Sequence, residues 1–313
     1  MTGFTYHSLL NAALRLYRER QFDQAYGLVT ENADEVGGNP AHLLNFRYSL
    51  AAVGGHPDLA FEIIRSAVER GCWWSEDILM KDDDLAELRG RNDFLQLVGV
   101  CRERELREKA AARSECKVVE SPLNSNSRRP FVVALHGNSE SNVLSEPRWR
   151  TCLRAGMSLA LVQSSCIKFS GGYSWDDPAI GRSELEGQWT DLKRGGMDER
   201  LSILGGFSAG GRVIVHAILN RKVDSRGAIL VGPWLPDLKE LVPLMDHGIL
   251  KNKRFFILVG DEDVDCLDCS MELAMELERN GASVRLQIEP GLEHDFPVWF
   301  DAKLTSILSK MLS

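Results

Sequence analysis

The sequence predicts an all-α N-terminal region followed by an α/β domain built on a mostly parallel, doubly wound sheet. Three observations carry this. Residues 1–113 place apolar and small side chains at helical spacing and contain no convincing strand. From Lys117 onward, short β-rich runs alternate with amphipathic stretches. The two textures meet in a charged stretch, Arg102 to Ser114, which sets the expected domains at 1–113 and 114–313.

In the first region, Leu9, Leu10, Ala13, Leu14 and Tyr17 share a helical face, and breakers follow at Gly37-Gly38-Asn39-Pro40, Gly54-Gly55-His56-Pro57 and Gly71. The pattern reads as helical hairpins. "LYRERQFDQAYGLV" can be laid on "SLAAVGGHPDLAFEII", bringing Ala25 onto Ala60 about 35 residues later, the period of tetratricopeptide-like helix pairs. "DILMKDDDLAELRGRNDFLQLVGV" reads as a degenerate terminal copy. Such repeats form extended faces that can hold a protein partner, so a partner for the N-terminal helices is one expectation.

In the second region the expected strands are "CKVVE", "FVVALHG", "SLALVQS", "LSILGGFS", "GAILVGP", "RFFILVG" and "SVRLQIEPG". Helical segments run between them, notably Ser183 to Arg194, Gly210 to Asn220 and Ser270 to Asn280. Strands alternating with helices imply a parallel sheet covered on both faces. The polar loop Ser121 to Pro130 is expected to join two early strands.

The chain has 313 residues, 44% hydrophobic and 26% charged, which suits a packed globular protein. Its net charge of -8 argues against nucleic acid as the main partner, because phosphate binding needs clustered Lys and Arg. No run of about eighteen apolar residues occurs, so no membrane span is expected, and Met1 to Leu10 do not read as a secretory signal. The cysteines are odd in number and scattered, which fits free thiols in a reducing cytoplasm.

The chemistry concentrates in Gly206-Phe207-Ser208-Ala209-Gly210, between the strand "RLSIL" and the helix "GRVIVHAILN". A serine hydroxyl attacks only when a base takes its proton, and small flanking residues let the backbone turn sharply enough to expose the oxygen. Asp263 stands third after Gly260 at a strand end, where a carboxylate can orient a histidine; Asp261 and Asp265 compete for that role. His294 follows the last strand and is the expected base, completing the chain order Ser, Asp, His. His136-Gly137-Asn138 ends "FVVALHGN" and can aim a backbone N–H at the serine. The expected oxyanion donors are the N–H groups of Asn138 and Ala209.

Taken together, residues from about Lys117 to the C-terminus resemble the α/β-hydrolase superfamily, and within it the carboxylesterase and acyl-protein thioesterase group. The carrying motifs are Leu135-His136-Gly137, Ser174-Trp175 with Asp176 or Asp177, Gly205 to Gly211, Gly260 with Asp263, and Gly291 with His294. The resemblance implies hydrolysis of an ester or thioester through an acyl-enzyme, with no metal and no organic cofactor. It implies a small-molecule substrate and gives Trp175 a place in the substrate pocket, with a buried core aromatic as the other reading. A peptidase acting on short peptides and a non-catalytic repeat protein are the alternatives; fluorophosphonate labelling of Ser208 separates the last from the others.

Other features point elsewhere. Cys266-Leu267-Asp268-Cys269 lacks a second ligand pair for a structural zinc and reads as coincidence at a helix start. Asp82-Asp83-Asp84 suits a helix cap better than calcium. The run Arg102 to Lys109 reads as a solvated face, and His216 as packed. Trp234 to Arg254 leaves little room for a lid, so the N-terminal helices are expected to shape access instead.

Overall fold

The structure is a computed structural model that describes residues 3–123 and 129–313. The chain divides into two compact units, Met1–Ala112 with Cys166–Tyr173, and Arg113–Ser165 with Ser174–Ser313.

The first unit contains α1 (Tyr6–Arg18), α2 (Phe22–Asn32), α3 (Pro40–Val53), α4 (Pro57–Glu69), α5 (Glu76–Lys81) and α6 (Asn92–Ala111). Their starts are encoded locally. Thr5 and Ser8 form a capping box on α1, and Asn39 accepts the N–H groups of Ala41 and His42 ahead of Pro40. Ala25 and Ala60, which the internal alignment superposes, are both fully buried. Asp82 caps a short 3-10 turn, Asp83–Leu88, by accepting from the Asp84 N–H. Glu105, inside the charged run of α6, is buried and takes the Glu76 N–H at 2.8 Å.

Cys166–Tyr173 completes this unit as a hairpin of β4 (Ile167–Phe169) and β5 (Gly172–Tyr173). Trp74 bridges to Phe169, the Ser75 N–H donates to Lys168 O at 2.8 Å, and His42 stacks on Phe169. Ile167 and Phe169 thereby join the core around Trp73, Trp74, Leu85 and Phe94. An excursion of chain from one domain into the core of another has no local sequence signal.

In the second unit, seven strands among the described residues form one sheet: β1 (Glu115–Val119), β2 (Phe131–Leu135), β3 (Ser158–Gln163), β6 (Ile203–Phe207), β7 (Gly227–Val231), β8 (Arg254–Gly260) and β9 (Ser283–Glu289). Their order is β1-β3-β2-β6-β7-β8-β9. Every pairing is parallel except β1 with β3, which puts the one antiparallel strand at an edge. This is the mostly parallel α/β fold that the sequence predicts. Of the polar stretch Ser121 to Pro130, residues 124–128 lie outside the described residues.

Alternation along the strands splits the core in two. Val133, Leu135, Leu204, Leu230 and Ile257 face α8 (Pro178–Arg194), α9 (Ala209–Leu219) and α12 (Leu267–Arg279). Val132, Ala134, Ile203, Ile229 and Leu258 face α7 (Asn142–Trp149) and α13 (Phe300–Leu312). Short helices α10 (Leu238–Leu241) and α11 (His247–Leu250) lie between β7 and β8. The C-terminal ends of β2, β6, β7, β8 and β9 form one edge, where open α/β sheets place their crevice.

Candidate active site

Ser208 links β6 to α9 with φ 52 and ψ -123, a conformation that a non-glycine residue holds only at a cost of about 1–3 kcal/mol. The frame holds it by hydrogen bonds: its N–H donates to Val231 O at 3.0 Å, and its carbonyl accepts from the N–H groups of Gly211 and Trp234. Two glycines make the turn possible by close approach. A Cβ on Gly206 would lie 2.8 Å from Gly211 N, and one on Gly210 would lie 2.5 Å from His136 O and 2.8 Å from Leu135 O. Gly210→Ala is therefore expected to push α9 off the His136 loop. It should destabilise the protein by about 1–3 kcal/mol, read by denaturant unfolding.

Asp263 and His294 meet at this edge. Asp263 is buried, and its Oδ2 lies 2.7 Å from His294 Nδ1. Gly232 makes room for the pair: its φ is +48, and a Cβ there would sit 3.1 Å from both Asp263 Oδ2 and the His294 ring. The His294 ring stacks on Phe207, 4.8 Å between centroids, so the imidazole packs on the residue preceding Ser208. Of the competing carboxylates, Asp261 accepts the Gly291 N–H at 2.6 Å. The buried Cys266 brings its Sγ within 3.6 Å of His294 Nδ1. Burial, and then the neighbouring Asp263 charge, push its thiol well above the usual range.

The third loop is held by side chains. His136 is fully buried with both ring nitrogens engaged: Nδ1 lies 2.6 Å from Gly137 O, and Nε2 lies 3.2 Å from Ser164 N. Only the neutral ring with its proton on Nδ1 satisfies both, donating to the carbonyl and accepting the amide N–H. Burial accordingly lowers its pKa. The folded value thus lies below the unfolded one, so the unfolded chain takes up a proton that the native state refuses. Stability is intact above the unfolded pKa of about 6.5 and falls as pH drops below it, by at most about 1.4 kcal/mol per unit for this group. Thermal unfolding between pH 7.5 and 5.5 should show a shallower decline in His136→Gln than in wild type.

Trp175 lies in this region with 1% of its surface exposed. Its ring stacks on His136, its indole N–H donates to His136 O at 2.8 Å, and its backbone N–H donates to Asn138 Oδ1 at 2.8 Å. Asp177 caps α8 by accepting the Ala179 N–H. Ala209 is buried as the first residue of α9, where helix N–H groups have no acceptor within the helix.

Sequence reasoning missed the residues that fix the Gly137 loop. Glu140, 2% exposed, accepts the Gly137 N–H at 2.7 Å and pairs with Arg148 at 3.1 Å. The Arg148 guanidinium covers the Phe296 ring at 4.6 Å and reaches Asp295 at 3.9 Å, one residue from His294. Across the elbow, Arg212 grips Asp237 with two nitrogens, and His216 joins the same carboxylate at 2.7 Å. Burial raises the Asp237 pKa, but these two partners outweigh it and the net shift is downward.

Residues 5–110 match the family described as A/B hydrolase-like, N-terminal domain. The sheet-bearing part is similar to the Bacillus cereus carboxylesterase, with 18% identity, 66% of this chain and 98% of that chain covered, and a TM-score of 0.52. A carboxylesterase from Mesorhizobium loti is similar at 20% identity over 62% of this chain and 93% of its own, with a TM-score of 0.52. The sheet-bearing unit has the α/β-hydrolase fold. These likenesses to enzymes concern the fold of the α/β-hydrolase part. An uncharacterized protein from Bacillus cereus ATCC 10987 is similar to this chain along its length, with 33% identity, 98% of this chain and 99% of that chain covered, and a TM-score of 0.56. No curated protein matches the chain.

Proposed function

We propose that this α/β-hydrolase cleaves carboxylic esters, or thioesters, through an acyl-enzyme. The observation that carries the reading is the 2.7 Å Asp263–His294 pair packed on the residue preceding a positive-φ Ser208. In this reading Nδ1–H donates to Asp263, which leaves the Nε2 lone pair to accept the Ser208 proton. Ser208 Oγ then attacks the acyl carbon. Because Glu140 occupies the Gly137 N–H, the loop donor to the oxyanion is the N–H of Asn138, opposite that of Ala209. As the tetrahedral intermediate collapses, His294 returns the proton to the leaving oxygen or sulfur. Water, deprotonated in turn by His294, releases the acid. No step calls for a metal or an organic cofactor.

Trp175 acts in this scheme as the brace of the Asn138 loop. Exposed apolar side chains on the segments following the strand ends, Val143, Ile180, Val264 and Val298, favour an apolar acyl or alcohol group in the substrate. The test is hydrolysis of p-nitrophenyl esters from acetyl to decanoyl beside matched amides, with fluorophosphonate labelling mapped by mass spectrometry. Ester turnover with the adduct on Ser208 is expected. Turnover of amides alone would shift the reading to a peptidase, and absence of both turnover and adduct would overturn it.

A further inference from the structure

Asp263, Cys266 and His294 are, among the described residues, the one group of three potential metal ligands whose donor atoms all lie within 4.8 Å of one another. They bring a carboxylate, a thiol and an imidazole to one point from three separate positions in the chain. His294 Nδ1 is 2.7 Å from Asp263 Oδ2 and 3.6 Å from Cys266 Sγ. We propose that these three side chains form a binding site for a thiophilic divalent cation, zinc or cadmium, whose occupancy switches the hydrolytic site off.

The spacing fits. Zinc bonds of about 2.0–2.3 Å at tetrahedral angles place ligand atoms roughly 3.3–3.8 Å apart. The sulfur–nitrogen distance already lies in that range, and the carboxylate has to retreat from the imidazole by only about half an ångström. Charge fits as well. A thiolate beside Asp263 is unfavourable in a buried place, but a divalent cation between them cancels both negative charges. The thiolate selects zinc and cadmium over magnesium or calcium, which prefer oxygen. His294, half-buried beside two buried partners, is the side from which the ion and a fourth ligand, water, enter. Cys269 is not part of the set: its Sγ lies 3.3 Å from Pro233 O and 3.3 Å from Cys266 O, partnered by backbone.

The consequence for hydrolysis rests on the reading proposed above. Binding releases the Cys266 thiol proton to solvent and places the ion on Nδ1, so the proton of the neutral imidazole moves to Nε2. The nitrogen that should receive the Ser208 proton then carries one already. An ion on the far side of the ring thereby removes the base without touching the serine.

The experiment titrates the chelator-treated full chain with Cd2+, following cadmium–thiolate absorption in the ultraviolet, and with Zn2+ by calorimetry. One equivalent should bind with a thiolate band. Affinity should fall by more than about 100-fold in Cys266→Ser and in His294→Gln and stay unchanged in Cys269→Ser, with circular dichroism reporting folding. Zn2+ should also inhibit wild-type ester hydrolysis, with recovery on adding chelator. A thiolate band of wild-type strength in Cys266→Ser, or none in wild type, would overturn the site. The band is read without substrate, so failure of the esterase reading leaves this test intact.

Discussion

Ser208→Ala is expected to reduce kcat for p-nitrophenyl esters by a factor on the order of 10^4 to 10^6, with little change in KM. In the proposed mechanism the loss is this large because the variant has no oxygen to form the acyl-enzyme, and His294 has no hydroxyl proton to accept. What remains should be slow attack by water, helped by the amide donors at the head of α9 and in the Asn138 loop. Stability should hardly move. Alanine bears the same Cβ as serine at φ 52, and the hydrogen bonds that secure this residue use its backbone N–H and carbonyl. Kinetics and thermal unfolding measured on one preparation separate the two effects. A variant that keeps a tenth of the wild-type rate would show that another group is the nucleophile.

Glu140→Ala should be the most damaging change that leaves the proposed catalytic groups in place. It leaves the buried Gly137 N–H without its acceptor and takes from Arg148 its closest carboxylate. Removing one member of a buried ion pair costs about 3–5 kcal/mol. The lower end applies here, since Arg148 keeps Asp295 at 3.9 Å and is 19% exposed. For a protein of this size that corresponds to a melting temperature lower by roughly 6–12 °C. Activity should fall as well, by about 10- to 100-fold, because Asn138 hangs on the loop that Glu140 ties down. Glu140→Gln keeps an acceptor for the amide but loses the charge, so it should lie between wild type and alanine on both scales. Calorimetry with ester kinetics checks both, and equal activity in all three proteins would detach Glu140 from the site.

The contrast between Ser208 and Glu140 explains how much could be read in advance. Glycines at 206 and 210 are required by local backbone approach, so the elbow is written within a few residues. Strand runs such as "FVVAL" and "RFFILVG" are buried on both faces and stand out as continuous apolar segments, and their alternation with helices implies the parallel sheet. Glu140 looks like any polar loop residue, because its burial and its ion pair exist only once α7 has folded over β2. Cys266 reads as the start of a helix, since its approach to His294 joins positions 28 residues apart. The hairpin at 166–173 is short and of mixed composition, and nothing nearby marks it as core for another unit.

That hairpin gives the protein an assembly order. The helical unit owns two pieces of chain, and the second is synthesised only after β1, β2 and β3. Domains generally fold as they emerge, N-terminal first. Here the first unit must wait, with Trp73 and Trp74 short of the partners that Ile167 and Phe169 supply. The two units are consequently knotted in time rather than strung like beads, and neither is a cassette. A cut at the end of α6 would leave one fragment with an open core and the other with two large apolar side chains on a hairpin that has lost its seat. Any engineered fragment, and any natural fusion or fission of these parts, must carry that hairpin with the helices it completes.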